Sequence, residues 1–310
     1  VMARFDEENN IQWAKKLEQS GCHVIYGLVG LKTHSKITLV VRREEGRIKR
    51  YLHLGTGNYN DSTAKLYTDM GIFTSREQYA AEASSFFNML TGYSDPPDLY
   101  KLTVAPLNMR ETFTELIRQE AENARQGKKA HIRAQMNSLV DQQIICELYD
   151  ASRAGVTIHL LVRGICCLRP GVQGISENIT VHSIVGRFLE HPRIFYFEQE
   201  GRKKVYLSSA DWMNRNLDRR IELLFEVEEP DIHHQVMDIL DVLFNDTLKT
   251  RILQPDGTYK RVDKRGKERL EAQLYFCQRA EAVEKRHFRQ ASQVITFDPI
   301  LSSEQLMDSK

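Results

Sequence analysis

The chain has 310 residues, with 43 lysines and arginines against 42 aspartates and glutamates. This near cancellation gives no global field to draw in a polyanion, so any anion site must be a local cluster of basic groups. At 41% hydrophobic residues, with no apolar run near the roughly 18 residues of a spanning helix, the composition reads as one large or two ordinary soluble domains. The five cysteines are odd in number and lack paired C-x-x-C spacing, which argues against a zinc site or a disulfide framework and points to a reducing compartment. Adjacent Cys166 and Cys167 read as buried thiols beside a strand end. The start at Val1, inside a motif, reads as a fragment of something longer.

In chain order, "NNIQWAKKLEQSG" has helical periodicity and stops at Gly21, and "CHVIYGLV" reads as a strand. "HSKITLVVRREEGRIKRYLHL" follows as two strands around a turn at Gly46, whose charged tip "RREEGRIKR" reads as a solvated hairpin end. "GTGNYND" is a polar, glycine-rich loop that by itself means only a tight turn, and helical segments fill the chain to about residue 94. "GYSDPPDL", residues 92–99, is the domain boundary. Beyond it, "MRETFTELIRQEAENARQG" reads as a helix, "KAHIRAQMN" as a strand, "LVDQQIICELYDASRAG" as a helix and "VTIHLLVRG" as a strand. Such alternation implies a parallel sheet with helical crossovers. The basic stretch "RVDKRGKERLEAQLYFCQRAEAVEKRHFRQ" reads as a C-terminal helix. It is either an exposed charged face or a lining for a polyanion channel or membrane surface, and the tail after Ser292 reads as loosely ordered.

A repeat links the two parts. "ITVHSIVGRFLEHPRIFYF" laid without gaps on "CHVIYGLVGLKTHSKITLV" puts His191 on His34, Arg193 on Lys36 and Val181 on Val24. Each histidine is followed by an apolar strand, a charged turn with glycine (Gly46, Gly201), a second strand and a polar loop. Arg4 and Arg163 stand upstream of the respective histidines at similar distances. Packing explains repeated apolar positions but gives no reason for repeated polar ones, so the two halves are expected to converge on one site.

In a strand, His34, Lys36 and Thr38 would share a face while Ile37 and Leu39 turn to the core. Imidazole attacks phosphorus in line if its other nitrogen is held by an acceptor, and lysine and arginine neutralise charge on the equatorial oxygens. Attack is assigned to His34 and phosphate binding or general-acid help to His191, although spacing alone also permits the reverse. Arg193 would grip two phosphate oxygens at once. Asn58 and Asn60 in one loop, and Asn214 and Asn216 in the other, offer amide donors for bridging oxygens. His53 reads as a satisfied structural histidine, His23, His159 and His182 as core or near-site residues, and Trp212 as core.

"H-x-K" followed by "GTGN" resembles the phospholipase D superfamily signature, but the aspartate expected seven residues after each histidine is Val41 in one half and Glu198 in the other. That departure speaks against a lipase or nuclease. "ARFDEENNIQWAKKL", "GLKTHSKITLVV", "HLGTGNYNDSTAKLYTDMG", "LLVRG", "SIVGRFLEHPRIFYF" and "KVYLSSADWMNRNLDRRIE" instead closely resemble the C-terminal half of the bacterial polyphosphate kinases, over nearly the whole chain to about residue 285. The resemblance implies an α/β fold of two phospholipase D-like half-domains with mixed sheets flanked by helices. The first, residues 1–98, would be truncated at its N-terminus, the second would span 99–285, and 286–310 would be a tail. It implies reversible transfer of the terminal phosphate of ATP, with Mg2+, to inorganic polyphosphate through a phosphohistidine at His34, with His191 as the second active-site histidine. By motif position Arg4 belongs to the magnesium and phosphate site, acting through phosphate oxygens because a guanidinium cannot ligate the ion. Arg163 would bind phosphate and Tyr67 would contact ATP. N-terminal domains of the full chain would be partners, a homo-oligomer is compatible, and nucleic acid is not expected. The expected location is the cytoplasm, with room for contact with the inner membrane. Competing readings are a phosphodiesterase or phospholipid synthase of the wider superfamily, and a polyanion-binding module with an inactive site.

Overall fold

The computed structural model describes residues 7–93, 95 and 98–290. Helix α1 (Glu7–Gln19) leads to strand β1 (Lys32–Thr33), and β2 (Lys36–Glu44) and β3 (Arg47–Gly55) form a hairpin. Glu45 and Gly46 turn that hairpin with φ of 50° and 76°, the left-handed pair that a two-residue connection demands. A short α2 (Asp61–Ala64), β4 (Tyr67–Thr68), β5 (Gly71–Thr74) and α3 (Glu77–Leu90) complete the first part. The second part runs β6 (Leu102–Ala105), α4 (Met109–Arg125), β7 (His131–Met136), α5 (Gln142–Arg153), β8 (Thr157–Val162), β9 (Ile179–Ile184), β10 (Leu189–Glu190), β11 (Arg193–Phe197) and β12 (Lys204–Ser208). It closes with α6 (Asn214–Arg219), β13 (Arg220–Glu226), α7 (Pro230–Phe244), β14 (Thr250–Leu253), β15 (Tyr259–Arg261) and α8 (Ala272–Gln290).

Ten strands form one sheet in the order β1-β13-β12-β11-β7-β8-β9-β14-β15, with β6 also on β13. The β7-β8-β9 ladder is parallel, as the alternation of helix and strand requires, and the strands around it are antiparallel. Strand alternation divides the core. Phe195 and Phe197 turn to the face covered by α4 and α5, whereas Ile194 and Tyr196 turn to the face covered by α3 and α7. Met109, Phe113, Ile117 and Ala121 recur every four residues along α4 and are all buried, so one helical stripe supplies that side. Trp212 is fully buried against Phe113 and Phe195, in keeping with a core role. The hairpin and β5 make a smaller sheet whose Leu52 and Leu54 are buried, while Val40, Tyr51 and Phe73 face solvent.

Two cross-pairings tie the parts together: β1 runs parallel to β13, and β4 runs parallel to β10.

Several sequence readings are corrected. "CHVIYGLV" forms no strand, because no neighbouring strand takes up its backbone and Ile25, Tyr26 and Val29 stay exposed; His23 is exposed too, not core. The stretch after the glycine loop contains β4 and β5 as well as helices. Cys167 is exposed and Cys166 half-buried. The C-terminal helix begins at Ala272, after the β14-β15 hairpin. Arg4, residues 94, 96 and 97 of the boundary and the tail after Ser292 lie outside the described residues. Among the described residues no helix is long and apolar enough to cross a membrane.

His131, His159 and His182 share one face of β7, β8 and β9 with Arg133, and Phe244 covers the last three, 4.9 Å from the guanidinium. Burial first, then nearby positive charge, brings His131 and His182 down from 6.5 to about 4 and lowers His159 as well. Between those values the unfolded chain binds more protons than the folded one, so stability present above pH 6.5 is lost as pH falls towards 4. The urea midpoint is expected to drop across that window, and His182→Leu to flatten the slope. A midpoint constant from about pH 7 to about pH 4.5 would contradict this assignment.

Candidate active site

His34 does not lie within a strand. It occupies the two-residue break between β1 and β2, where the N–H groups of His34 and Ser35 both donate to the Ile221 carbonyl at 2.9 Å. The break aims the imidazole at β13, and its Nδ1 lies 2.8 Å from both carboxylate oxygens of Glu222. Glu222 is fully buried, and its Oε2 also accepts from the Ser209 hydroxyl, whose oxygen in turn accepts from Leu223 N–H. Burial, opposed by Glu222, holds the His34 pKa below the ordinary imidazole value. In its neutral form the ring keeps its proton on Nδ1, facing the carboxylate. No group among the described residues hydrogen-bonds to Nε2, and the side chain is 19% exposed. One nitrogen is held by an acceptor while the other keeps an open lone pair.

Lys36, the first residue of β2, is 5% exposed and donates to the His34 carbonyl. Burial pushes its ammonium down to about 7, with Glu222 and Asp69 resisting and Arg193 and Arg220 assisting. Both imidazole partners, Glu222 and Asp69, thus act on one lysine. Lys36 is a cation that feels the carboxylates of both histidine clusters.

The second cluster mirrors the first. His191 Nδ1 lies 2.8 Å from Asp69 Oδ1, on the residue that follows β4. Each histidine is thus held by a carboxylate from the opposite half. Nε2 of His191 is occupied, however: Arg193 Nη1 lies 2.9 Å away, and a guanidinium can only donate. Arg193 is 3% exposed and forks onto Asp211, with two contacts of 3.1 Å. Asp211 also accepts from Asn137 N–H at 2.8 Å, and the Asn137 side-chain oxygen accepts from Arg163 Nε at 3.0 Å. Arg163 and Arg193 therefore hang on one network at the carboxyl ends of β7 and β8, where open α/β sheets place their ligands. The Tyr67 ring lies 5.0 Å from that of His191.

The glycine loop does more than turn. A Cβ on Gly57 would fall 2.3 Å from the Asp69 carboxylate, so glycine is what lets Asp69 reach His191, and the Thr56 hydroxyl donates to Asp69 at 2.9 Å. Of the asparagines, Asn58 and Asn214 are exposed, Asn60 caps α2 through Thr63 N–H at 2.9 Å, and Asn216 is 1% exposed with an Oδ1 that meets no donor. His53 is structural, its Nδ1 2.7 Å from the Tyr59 hydroxyl. Val41 is exposed, and Glu198 is engaged by Tyr196 and Lys129 past the far end of β11, so neither residue supplies a third signature member here.

Sequence reasoning missed Glu222, Asp69, Asp211 and Asn137. Glu222 did leave a signal: it is a lone carboxylate inside the apolar run Ile221–Phe225 of β13, a place where charge is retained only with a partner.

The fold is one of two phospholipase D-like α/β halves, each holding its imidazole with a carboxylate of the other half. The chain matches the family model "Polyphosphate kinase C-terminal domain 1" over residues 1–96 and "Polyphosphate kinase C-terminal domain 2" over 102–273. It is 58% identical over 285 residues to a polyphosphate kinase of Lactiplantibacillus plantarum, covering 92% of this chain and 40% of that protein. A Synechocystis polyphosphate kinase is also 58% identical, over 84% of this chain and 36% of the relative. The crystal structure of polyphosphate kinase from Porphyromonas gingivalis superposes with a TM-score of 0.84 at 34% identity, over 92% of this chain and 44% of that one. The chain belongs to the polyphosphate kinase family, corresponding to its C-terminal domains, and spans about two-fifths of the length of these relatives.

Proposed function

We propose that this segment carries the catalytic centre of a polyphosphate kinase that moves the terminal phosphoryl group of ATP reversibly onto inorganic polyphosphate by way of a phosphohistidine at His34. The observation that carries the reading is the asymmetry of the two rings. His34 has its Nδ1 proton fixed by Glu222 and its Nε2 lone pair open, whereas His191 has Nε2 engaged by Arg193. Nε2 of His34 attacks the γ-phosphorus, a nitrogen–phosphorus bond forms, the bridging oxygen–phosphorus bond breaks and ADP leaves. The terminal oxygen of a polyphosphate chain then attacks the same phosphorus and releases the imidazole.

Glu222 stabilises the positive charge that develops on the ring during attack. Arg193, Arg163 and Lys36 take charge on the equatorial oxygens, His191 positions Arg193 for that purpose, and Tyr67 sits where a nucleotide would pass. Asn58 and Asn216 remain proposed phosphate contacts, and Arg4 remains proposed for the metal and phosphate site. Among the described residues no group of three or more histidines, cysteines or carboxylates could hold a metal, and Asp69 and Glu222 are committed to imidazoles. A Mg2+ carried with the nucleotide would supply charge neutralisation, with Arg163 and Arg4 proposed to hold the phosphate it comes with. The proposed setting is the cytoplasm, with the exposed stretch 278–286 of α8 proposed to meet a membrane surface.

Incubating the full-length protein with γ-labelled ATP tests the reading. The expected product is protein-bound label that is acid-labile and base-stable and that maps to the peptide containing His34. Label on no histidine, together with release of alcohol from a phosphodiester, would replace this function with that of a diesterase.

A further inference from the structure

The residue before His191 is unusual. Glu190 is 2% exposed and no cation pairs with it among the described residues, yet its carboxylate collects donors from three separate elements. Thr68 of β4 donates to Oε2 at 3.1 Å, Gln135 of β7 donates to Oε2 at 3.2 Å, and Gln273 in the first turn of α8 donates to Oε1 at 2.7 Å. A buried carboxylate is costly, and apolar side chains of similar volume would fill the same space at less cost. Packing alone does not account for it.

Gln273 is itself 4% exposed and fully committed. Its amide nitrogen also donates to the Phe188 carbonyl at 2.8 Å, and its oxygen accepts from Phe188 N–H at 3.0 Å. It thus pairs with the backbone of the loop leading to His191 as a neighbouring strand would. A Cβ on Gly186 would fall 2.3 Å from the Gln273 oxygen, so that loop has a glycine where the glutamine enters. The first turn of α8 is fixed in turn, since Ala272 N–H donates to buried Asp246 at 2.8 Å. On the other side, Thr68, whose hydroxyl oxygen accepts from His191 N–H at 3.4 Å, stands between Tyr67 and Asp69, which contact the His191 ring. Glu190 is the point where the first half, the central sheet and the C-terminal helix meet, one residue from the imidazole.

We propose that Glu190 and Gln273 are positioning residues for His191, making the start of α8 a working part of the phosphoryl-transfer centre. The proposal rests on the functional reading above. Their hydrogen bonds hold the 186–191 loop against β4, and the His191 ring keeps its bond to Asp69 only while that loop is in place.

The test removes these bonds in the full-length protein. Gln273→Glu sets two carboxylates against each other and a carboxylate oxygen against the Phe188 carbonyl, and Glu190→Leu removes the acceptor of Thr68, Gln135 and Gln273. Each is expected to lower kcat for phosphoryl transfer on the order of tenfold or more with KM for ATP little changed, because misplacing a catalytic group by about 1 Å costs that much or more. Glu190→Gln keeps an oxygen acceptor for Gln273 and offers its amide to the otherwise unpartnered Gln135 oxygen, so it is expected to keep most of kcat. Thr68→Val, which removes the donor to Glu190 and the acceptor of His191 N–H at nearly constant volume, is expected to shift kcat in the same direction as the first two by less and serves if one of them fails to fold.

Unchanged kcat in the single variants would overturn the proposal. So would a loss matching only the fall in Tm, or a Glu190→Gln as impaired as Glu190→Leu. The wild-type control separates this from the parent reading: a wild-type protein that transfers no phosphoryl group refutes the kinase function, whereas transfer that ignores these substitutions refutes only the positioning role.

Discussion

Phosphoryl transfer by His34→Ala is expected to fall at least about a thousandfold, with the acid-labile label lost altogether. Removing the nucleophile leaves Arg163, Arg193 and Lys36 able to bind phosphate, so nucleotide affinity should change far less than turnover. The ring is partly exposed and lies in a break between strands whose backbone bonds to Ile221 remain, so the fold should survive. Rapid-quench measurement of transfer, with Tm as a control, decides the matter. Wild-type turnover in His34→Ala would eliminate the phosphohistidine. The same loss in His191→Ala, with label still accumulating on His34, would be consistent with an assisting role for the second ring.

Glu222→Gln is expected to cost about a hundred- to ten-thousandfold in turnover through a change of tautomer. Ser209 gives its one hydroxyl proton to Glu222 Oε2 while accepting from Leu223 N–H, and keeping both bonds favours a carbonyl oxygen on that side of residue 222. A glutamine satisfies that donor with its carbonyl oxygen and so presents its amide to His34. An amide donates to Nδ1, which moves the imidazole proton to Nε2 and leaves no lone pair facing the substrate. Glu222→Asp retains the acceptor and should be the milder change. Equal activity of Glu222→Gln and wild type would show that the carboxylate does not set the ring's tautomer.

The sequence was readable where local pattern and tertiary burial agree. The four-residue recurrence of Met109, Phe113, Ile117 and Ala121 announces α4, and apolar runs bounded by helices announce the parallel β7 and β8. It misled where a pattern lacks a partner: residues 22–29 have strand composition, but strand geometry needs a neighbour to take up the backbone. The two histidines and the two cations beside them were visible as a repeat. Their carboxylates were not, because Glu222 and Asp69 come from opposite halves and therefore lie at unrelated offsets, 188 and 122 residues from the rings they hold. Gly57 shows the same limit: its motif was evident, but the reason for glycine is the Asp69 side chain twelve positions on.

The crossing of those carboxylates makes the centre an interlock. If the halves drew apart by even an ångström or two, both imidazoles would be released in the same movement: His34 would lose the acceptor that primes it, and His191 the one that steadies it. Such a site cannot be half assembled. For the proposed reaction, a reactive centre that exists only when the two halves are closed upon each other would favour discharge to a polymer end over discharge to solvent.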